Sequence, residues 1–97
     1  MNVQFYAKNV ELTERIKDYV NDKIGGLSKY DAGILEAQAD ISKDTHHQKG
    51  CVYRFEVNMK STNSKNLFRA EANGENIMEA IDLVKDKLHR QITKTKK

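Results

Sequence analysis

The chain has no proline, one cysteine and five scattered glycines in 97 residues. Without proline or a glycine-rich stretch, no segment reads as a linker or a low-complexity tail. A lone Cys51 excludes an internal disulfide, so an oxidising compartment is not indicated and a cytoplasmic location is the simplest expectation. No apolar run approaches the length needed to span a bilayer, so no membrane partner is expected. The N-terminal residues, MNVQFYAKNVELTE, lack a charged lead followed by an apolar stretch, so no signal peptide is expected. No internal repeat is evident. Charged residues make up 32% and hydrophobic residues 38%, which fits a small fold with a thin core. The length fits one domain, residues 1–97, since two units would each be too small to bury a core.

Charge, by contrast, is concentrated. The formal charge is +3, but residues 85–97 hold six basic side chains (Lys85, Lys87, Arg90, Lys94, Lys96, Lys97) against the single acid Asp86. A local excess of this kind points to a surface that meets something anionic.

Hydrophobic periodicity supplies the elements. Val3, Phe5 and Ala7 alternate with polar neighbours, predicting a half-buried strand over 2–7. Thr13 precedes Glu14 as an N-cap with an acid in the first turn. Ile16, Tyr19, Val20, Ile24 and Leu27 form one helical stripe. Gly25-Gly26 lies within it, and each glycine costs roughly 1 kcal/mol against alanine, so the helix is expected to loosen or end there. Leu35, Ala37, Ala39 and Ile41 predict a second strand with those side chains inward. Residues 42–50, SKDTHHQKG, read as a connection. Cys51, Tyr53, Phe55, Val57 and Met59 predict a third strand, residues 61–66 a turn, and Phe68, Ala70 and Ala72 a fourth strand ending at Asn73-Gly74. The final helix starts near Asn76.

The order β-α-β-β-β-α predicts an α+β two-layer sandwich, a four-stranded sheet with two helices on one face. Strands two to four form an antiparallel meander, and the first strand joins one of its edges.

On a wheel at about 100° per residue, Ile77, Ala80, Ile81, Val84, Leu88 and Ile92 share the face that meets the sheet. Lys87, Arg90 and Lys94 share one flank beside Leu83, stacked at helical spacing. Lys85 lies on the opposite flank near His89, and Lys96 and Lys97 carry the charge past the helix end. A row of cations at this spacing can follow phosphates along a nucleic-acid strand. The competing reading is that cations simply complement the helix dipole at its C-terminus. The near-absence of acids after Asp86 and the run of charge to Lys97 favour a contact surface. A continuous positive channel between the helices would favour RNA, and an isolated patch would not.

Other chemistry is poorly supported. His46-His47 lack the cysteine or carboxylate partners that a tetrahedral metal needs. With Lys43 and Lys49 they read better as a partly basic hairpin tip that RNA can reach. Cys51 reads as a packing residue. No carboxylate sits in an apolar setting that would raise its pKa for acid–base work. No glycine-rich phosphate loop is present, and no nucleophile is supplied with a base. Tyr19, Tyr53, Phe55 and Phe68 occupy core-facing positions, Tyr6 and Tyr30 more exposed ones, and no strand-borne pair for stacking bases is evident. An enzyme is therefore not expected, nor a small-molecule substrate.

Asn9-Val10-Glu11-Leu12-Thr13-Glu14, Phe68-Arg69-Ala70-Glu71-Ala72 with Gly74-Glu75, and Ala80-Ile81-Asp82 with Asp86-Lys87-Leu88, Arg90-Gln91-Ile92 and Lys94 occur in order and at matching spacing. With these residues the chain resembles the ribosome hibernation promoting factors and ribosome-associated inhibitors, also labelled sigma-factor modulation proteins. The resemblance covers nearly the whole chain. It implies a fold like that of double-stranded RNA-binding domains. It implies binding to the small ribosomal subunit and its rRNA in the channel for mRNA and tRNA anticodon stems, and translation arrest under stress. It implies no catalysis and no cofactor. The family's basic positions on the second helix map onto Lys87, Arg90 and Lys94. Arg69, Lys96 and Lys97 complete the expected RNA-binding set, on a protein expected to be monomeric away from the ribosome. Where the family commonly has Asp-Met-Tyr, this chain has Asn76-Ile77-Met78. The second domain of the long forms is not seen in these residues. Two other readings stay open: a general double-stranded RNA-binding module, and a protein-interaction domain acting on a transcription factor.

Overall fold

The structure, a computed structural model, describes residues 2–30, 33–44, 52–61 and 67–95. Its elements are β1 (Asn2–Lys8), α1 (Glu14–Lys23), a short 3-10 helix (Gly25–Lys29), β2 (Ile34–Asp44), β3 (Val52–Ser61), β4 (Leu67–Gly74) and α2 (Ile77–Thr95). The sheet order is β1-β2-β3-β4. β1 runs parallel to β2, with Asn2 opposite Glu36 and Lys8 opposite Ser42. β2, β3 and β4 form the expected antiparallel meander. A parallel pair needs a crossover, and α1 with the 3-10 helix provides it.

Local chemistry sets the boundaries. Asn9 turns the chain out of β1 with φ at 60°, a left-handed conformation that asparagine tolerates better than most residues. Thr13 caps α1: its Oγ1 accepts from the Ile16 N–H at 3.2 Å. The α-helix ends at Lys23, one residue before Gly25-Gly26, and the chain continues as the 3-10 helix. Asn76 starts α2 by accepting the Met78 N–H on Oδ1 at 2.9 Å and the Ala80 N–H on its carbonyl at 3.2 Å.

One core lies between the sheet and the helices. Phe55, Val57 and Met59 of β3 meet Ala37, Ala39 and Ile41 of β2 and Phe68, Ala70 and Ala72 of β4. Val20 of α1, Ile24 after it and Leu27 join this core, as do Ile77, Ala80, Ile81, Val84, Leu88 and Ile92 of α2. The small alanines on β4 let α2 approach closely while Phe55 fills the centre. Tyr19 and Tyr53 are half-buried against this cluster.

Three sequence expectations need correction. Leu35 is not a core residue: it is 64% exposed, and Ile34 is buried in its place. A register shift between Ile34 and Glu36 is the reason, because a one-residue irregularity reverses the face that a side chain meets. Residues 42–44 belong to β2, paired with Arg54, Tyr53 and Val52, rather than to the connection. Ser61 belongs to β3, buried opposite Ile34, rather than to a turn. Cys51, the His46-His47 pair and residues 62–66 lie outside the described residues.

Candidate nucleic-acid interface

The two flanks of α2 have different neighbours. On one flank, the Tyr19 hydroxyl of α1 donates to Asp82 Oδ1 at 2.7 Å, and the His89 ring lies 4.5 Å from that of Tyr30. This flank therefore faces α1 and the 3-10 helix. Lys85 shares it and lies 3.9 Å from Asp86. The hydrogen bond to Asp82 raises the Tyr19 pKa above its ordinary value. Burial and the charges of Asp82 and Asp22 add to the effect.

The opposite flank overhangs the free edge of β4. Lys87 Nζ donates to the Glu71 carbonyl at 2.7 Å. Gln91 Oε1 accepts from the Arg69 N–H at 3.2 Å, and Gln91 Nε2 donates to the Arg69 carbonyl at 2.7 Å. Lys87, Arg90, Lys94 and Leu83 are all exposed here. Among the described residues, no hydrogen bond or ion pair engages the Arg90 or Lys94 side chain.

The structure thus brings Lys87, Arg90 and Lys94 together as one ridge along the outer side of the molecule. It does not place them in a channel between the helices; that side of α2 carries Asp82. Lys87 is also less free than the wheel suggested, because its ammonium already holds a backbone carbonyl.

Arg69 does not join the ridge. Its guanidinium lies on the open sheet face, donating to Glu56 Oε2 at 2.9 Å. Arg54 pairs with Glu71 on the same face and lies 4.0 Å from Glu56. The hydrogen bond from Arg69 holds the Glu56 carboxyl below the ordinary glutamate range, with partial burial opposing it. The Glu71 carboxylate raises the Arg54 pKa. Lys96 and Lys97 lie outside the described residues.

Sequence reasoning did not find Gln91. Its signal is an amide among cations on a helix flank that meets a sheet edge, and the edge is not known until the strand order is. Among the described residues no group of three or more His, Cys, Asp and Glu is placed to hold a metal ion. No helix among them is long and apolar enough to cross a membrane.

The α+β sandwich is one side of the comparison with known proteins. The sequence is the other: residues 3–97 match the family described as Sigma 54 modulation protein / S30EA ribosomal protein. The chain belongs to this family. Similar members are the ribosome hibernation promotion factors of Bacillus subtilis, 33% identical over 99% of this chain, and of Lactococcus lactis, 37% identical over 93%. The chain spans about half the length of these curated relatives, 49% and 46% respectively. Among solved structures, the N-terminal domain of Thermus thermophilus Protein Y superimposes with a TM-score of 0.81 at 28% identity, covering 99% of this chain and 100% of that one. A ribosomal subunit interface protein from Coxiella burnetii gives a TM-score of 0.84, covering 99% and 98%. At 17% identity it shows the fold alone. The β-α-β-β-β-α sandwich is thus the S30EA fold.

Proposed function

We propose that this S30EA chain is a non-catalytic, ribosome-binding inhibitor of translation that promotes ribosome hibernation in the cytoplasm. Its contact surface is the ridge Lys87, Arg90 and Lys94, extended by Lys96 and Lys97. Its target is the rRNA of the small subunit, in the channel otherwise used by mRNA and tRNA. The observation that carries the reading is the ridge itself. Three cations line one helix flank, and no described acid neutralises Arg90 or Lys94. Cations left unpaired in this way release counterions when they meet phosphates, which favours binding.

The names of its relatives support the ribosome as the source of those phosphates. Arg69 enters this interface only if its pairing with Glu56 is given up. The reading calls for no cofactor and no small-molecule substrate. A monomer is the proposed state away from the ribosome, supported by the cover that α2 places over the β4 edge, since an open edge invites pairing between copies.

Replacing Lys87, Arg90 and Lys94 together by glutamate tests the reading. Co-sedimentation with small subunits should be lost while the circular dichroism spectrum is kept. Undiminished binding of the folded triple variant at moderate salt refutes it. A plain RNA duplex should not displace the wild-type protein from ribosomes. Displacement would instead indicate a general double-stranded RNA-binding module.

A further inference from the structure

The β4 edge meets the ridge flank of α2 at two side chains, Gln91 and Lys87. In an antiparallel strand, alternate residues turn both backbone groups away from the partner strand. Arg69 is such a residue on β4, and both of its outward groups are taken by the Gln91 amide, at 3.2 and 2.7 Å. Gln91 therefore stands where a fifth strand would stand. Two residues along the same edge, the outward carbonyl of Glu71 is held by Lys87 at 2.7 Å.

The spacing of these two contacts is matched. Four residues of helix, from Lys87 to Gln91, advance about 6 Å. Two residues of strand, from Glu71 to Arg69, advance about 6.8 Å. One turn of α2 thus runs antiparallel to β4 in step with its free carbonyls.

From this geometry we infer that Gln91 is a positioning residue for the basic ridge. By gripping the Arg69 backbone it fixes the rotation of α2 about its own axis, and so the direction in which Arg90 and Lys94 point. The apolar stripe alone does not fix that rotation sharply. Ile77, Ile81, Leu88 and Ile92 meet a β4 surface that carries only alanine at positions 70 and 72, whereas a two-point amide contact is directional. Arg90 is next to Gln91 in sequence and Lys94 lies three residues on, so a turn of the helix swings both cations together. Gln91 itself needs no contact with the nucleic acid. The inference rests on the ridge being the phosphate-contacting surface.

Two measurements test it. In the free wild-type protein, the Arg69 amide should exchange with solvent several-fold to about tenfold more slowly than the Glu71 amide, after correction for intrinsic rates. Both amides face the same edge, but only that of Arg69 has an acceptor in Gln91. Equal exchange of the two overturns the inference without any variant.

Second, Gln91→Met keeps length and helix propensity but removes both hydrogen bonds. At a temperature where the variant is folded, its binding to small ribosomal subunits should weaken. The slope of log affinity against log salt should become shallower by about one unit for each phosphate that is no longer neutralised. A folded variant with wild-type affinity and slope shows that Gln91 supports the fold only, and overturns the inference. Should Gln91→Met not fold, Gln91→Asn, too short to span both backbone groups, is read against the same two outcomes. Arg90→Gln is the control. If it leaves the slope unchanged, the ridge reading itself fails and this inference falls with it. If it flattens the slope and Gln91→Met does not, only the positioning role is wrong.

Discussion

Tyr19 and Asp82 tie the two helices together across 63 residues of sequence, through a 2.7 Å hydrogen bond from the tyrosine hydroxyl to the carboxylate. Lys23 lies 5.6 Å from the centre of the Tyr19 ring, within range of a cation–π contact. The helices share the same sheet face, and among the described residues this is the direct side-chain hydrogen bond between them.

Removing the hydroxyl isolates this bond. Tyr19→Phe keeps the ring packing and should lower stability by about 0.5–1 kcal/mol, the lower half of the usual range because the site is partly exposed. The pH dependence has a definite sign. The folded pKa of Tyr19 is raised, mainly by the hydrogen bond to Asp82. Its contribution is therefore complete below the unfolded tyrosine value of about 10 and is lost as pH rises through the higher folded value. Urea midpoints measured across the alkaline range should fall for the wild type and change less for Tyr19→Phe. Parallel curves would show that the bond does not form in solution.

Ile34 and Leu35 give a second prediction. Ile34→Ala should cost about 2–5 kcal/mol, as a fully buried side chain is removed. Leu35→Ala should stay within about 0.5 kcal/mol. Thermal unfolding of the two variants separates them, and the reverse ranking would place the register shift elsewhere.

That pair also marks the limit of what alternation can reveal. Strands, helices, their order and most core residues were legible because polar and apolar residues alternate within the strands and apolar residues recur at three and four within the helices. Two adjacent apolar residues at a strand start carry no such signal, so the shift at Ile34–Leu35 was hidden. The edge that β1 joins was likewise left open, since periodicity describes a strand and not its neighbour. On α2, the wheel separated the ridge from the buried stripe correctly. It could not show that Lys87 and Gln91 reach backbone groups of β4, because those hydrogen bonds depend on strand order and helix placement together. The pairing of Arg69 with Glu56 was hidden for the same reason: they meet only once β3 and β4 are in register.

The start of α1 offers a smaller test. Thr13 is the residue whose side chain caps the first turn. Thr13→Ala should cost about 1 kcal/mol, and Thr13→Asp should recover most of it through the same acceptor geometry and the helix dipole. Urea unfolding of the two variants checks the order; equal losses in both would mean that the cap contributes nothing.

Glu56 gives the acid-side counterpart of Tyr19. Its folded pKa is lowered, chiefly by the hydrogen bond from Arg69, against the opposing effect of partial burial. A lowered carboxylate contributes stability that is present above the unfolded glutamate value of about 4.3 and is lost as pH falls through the folded value. Arg69 is largely exposed, so the pair contributes well under 1 kcal/mol at moderate salt. The titration is the sharper readout. In Arg69→Gln the Glu56 pKa should move back up toward the ordinary range, followed by the side-chain carboxyl chemical shift. Arg54→Gln should move it less, since Arg54 lies 4.0 Å away and makes its hydrogen bond to Glu71 instead. An equal or larger shift in Arg54→Gln would mean that the two arginines exchange partners in solution, and that the open sheet face holds its ion pairs less selectively than their geometry indicates.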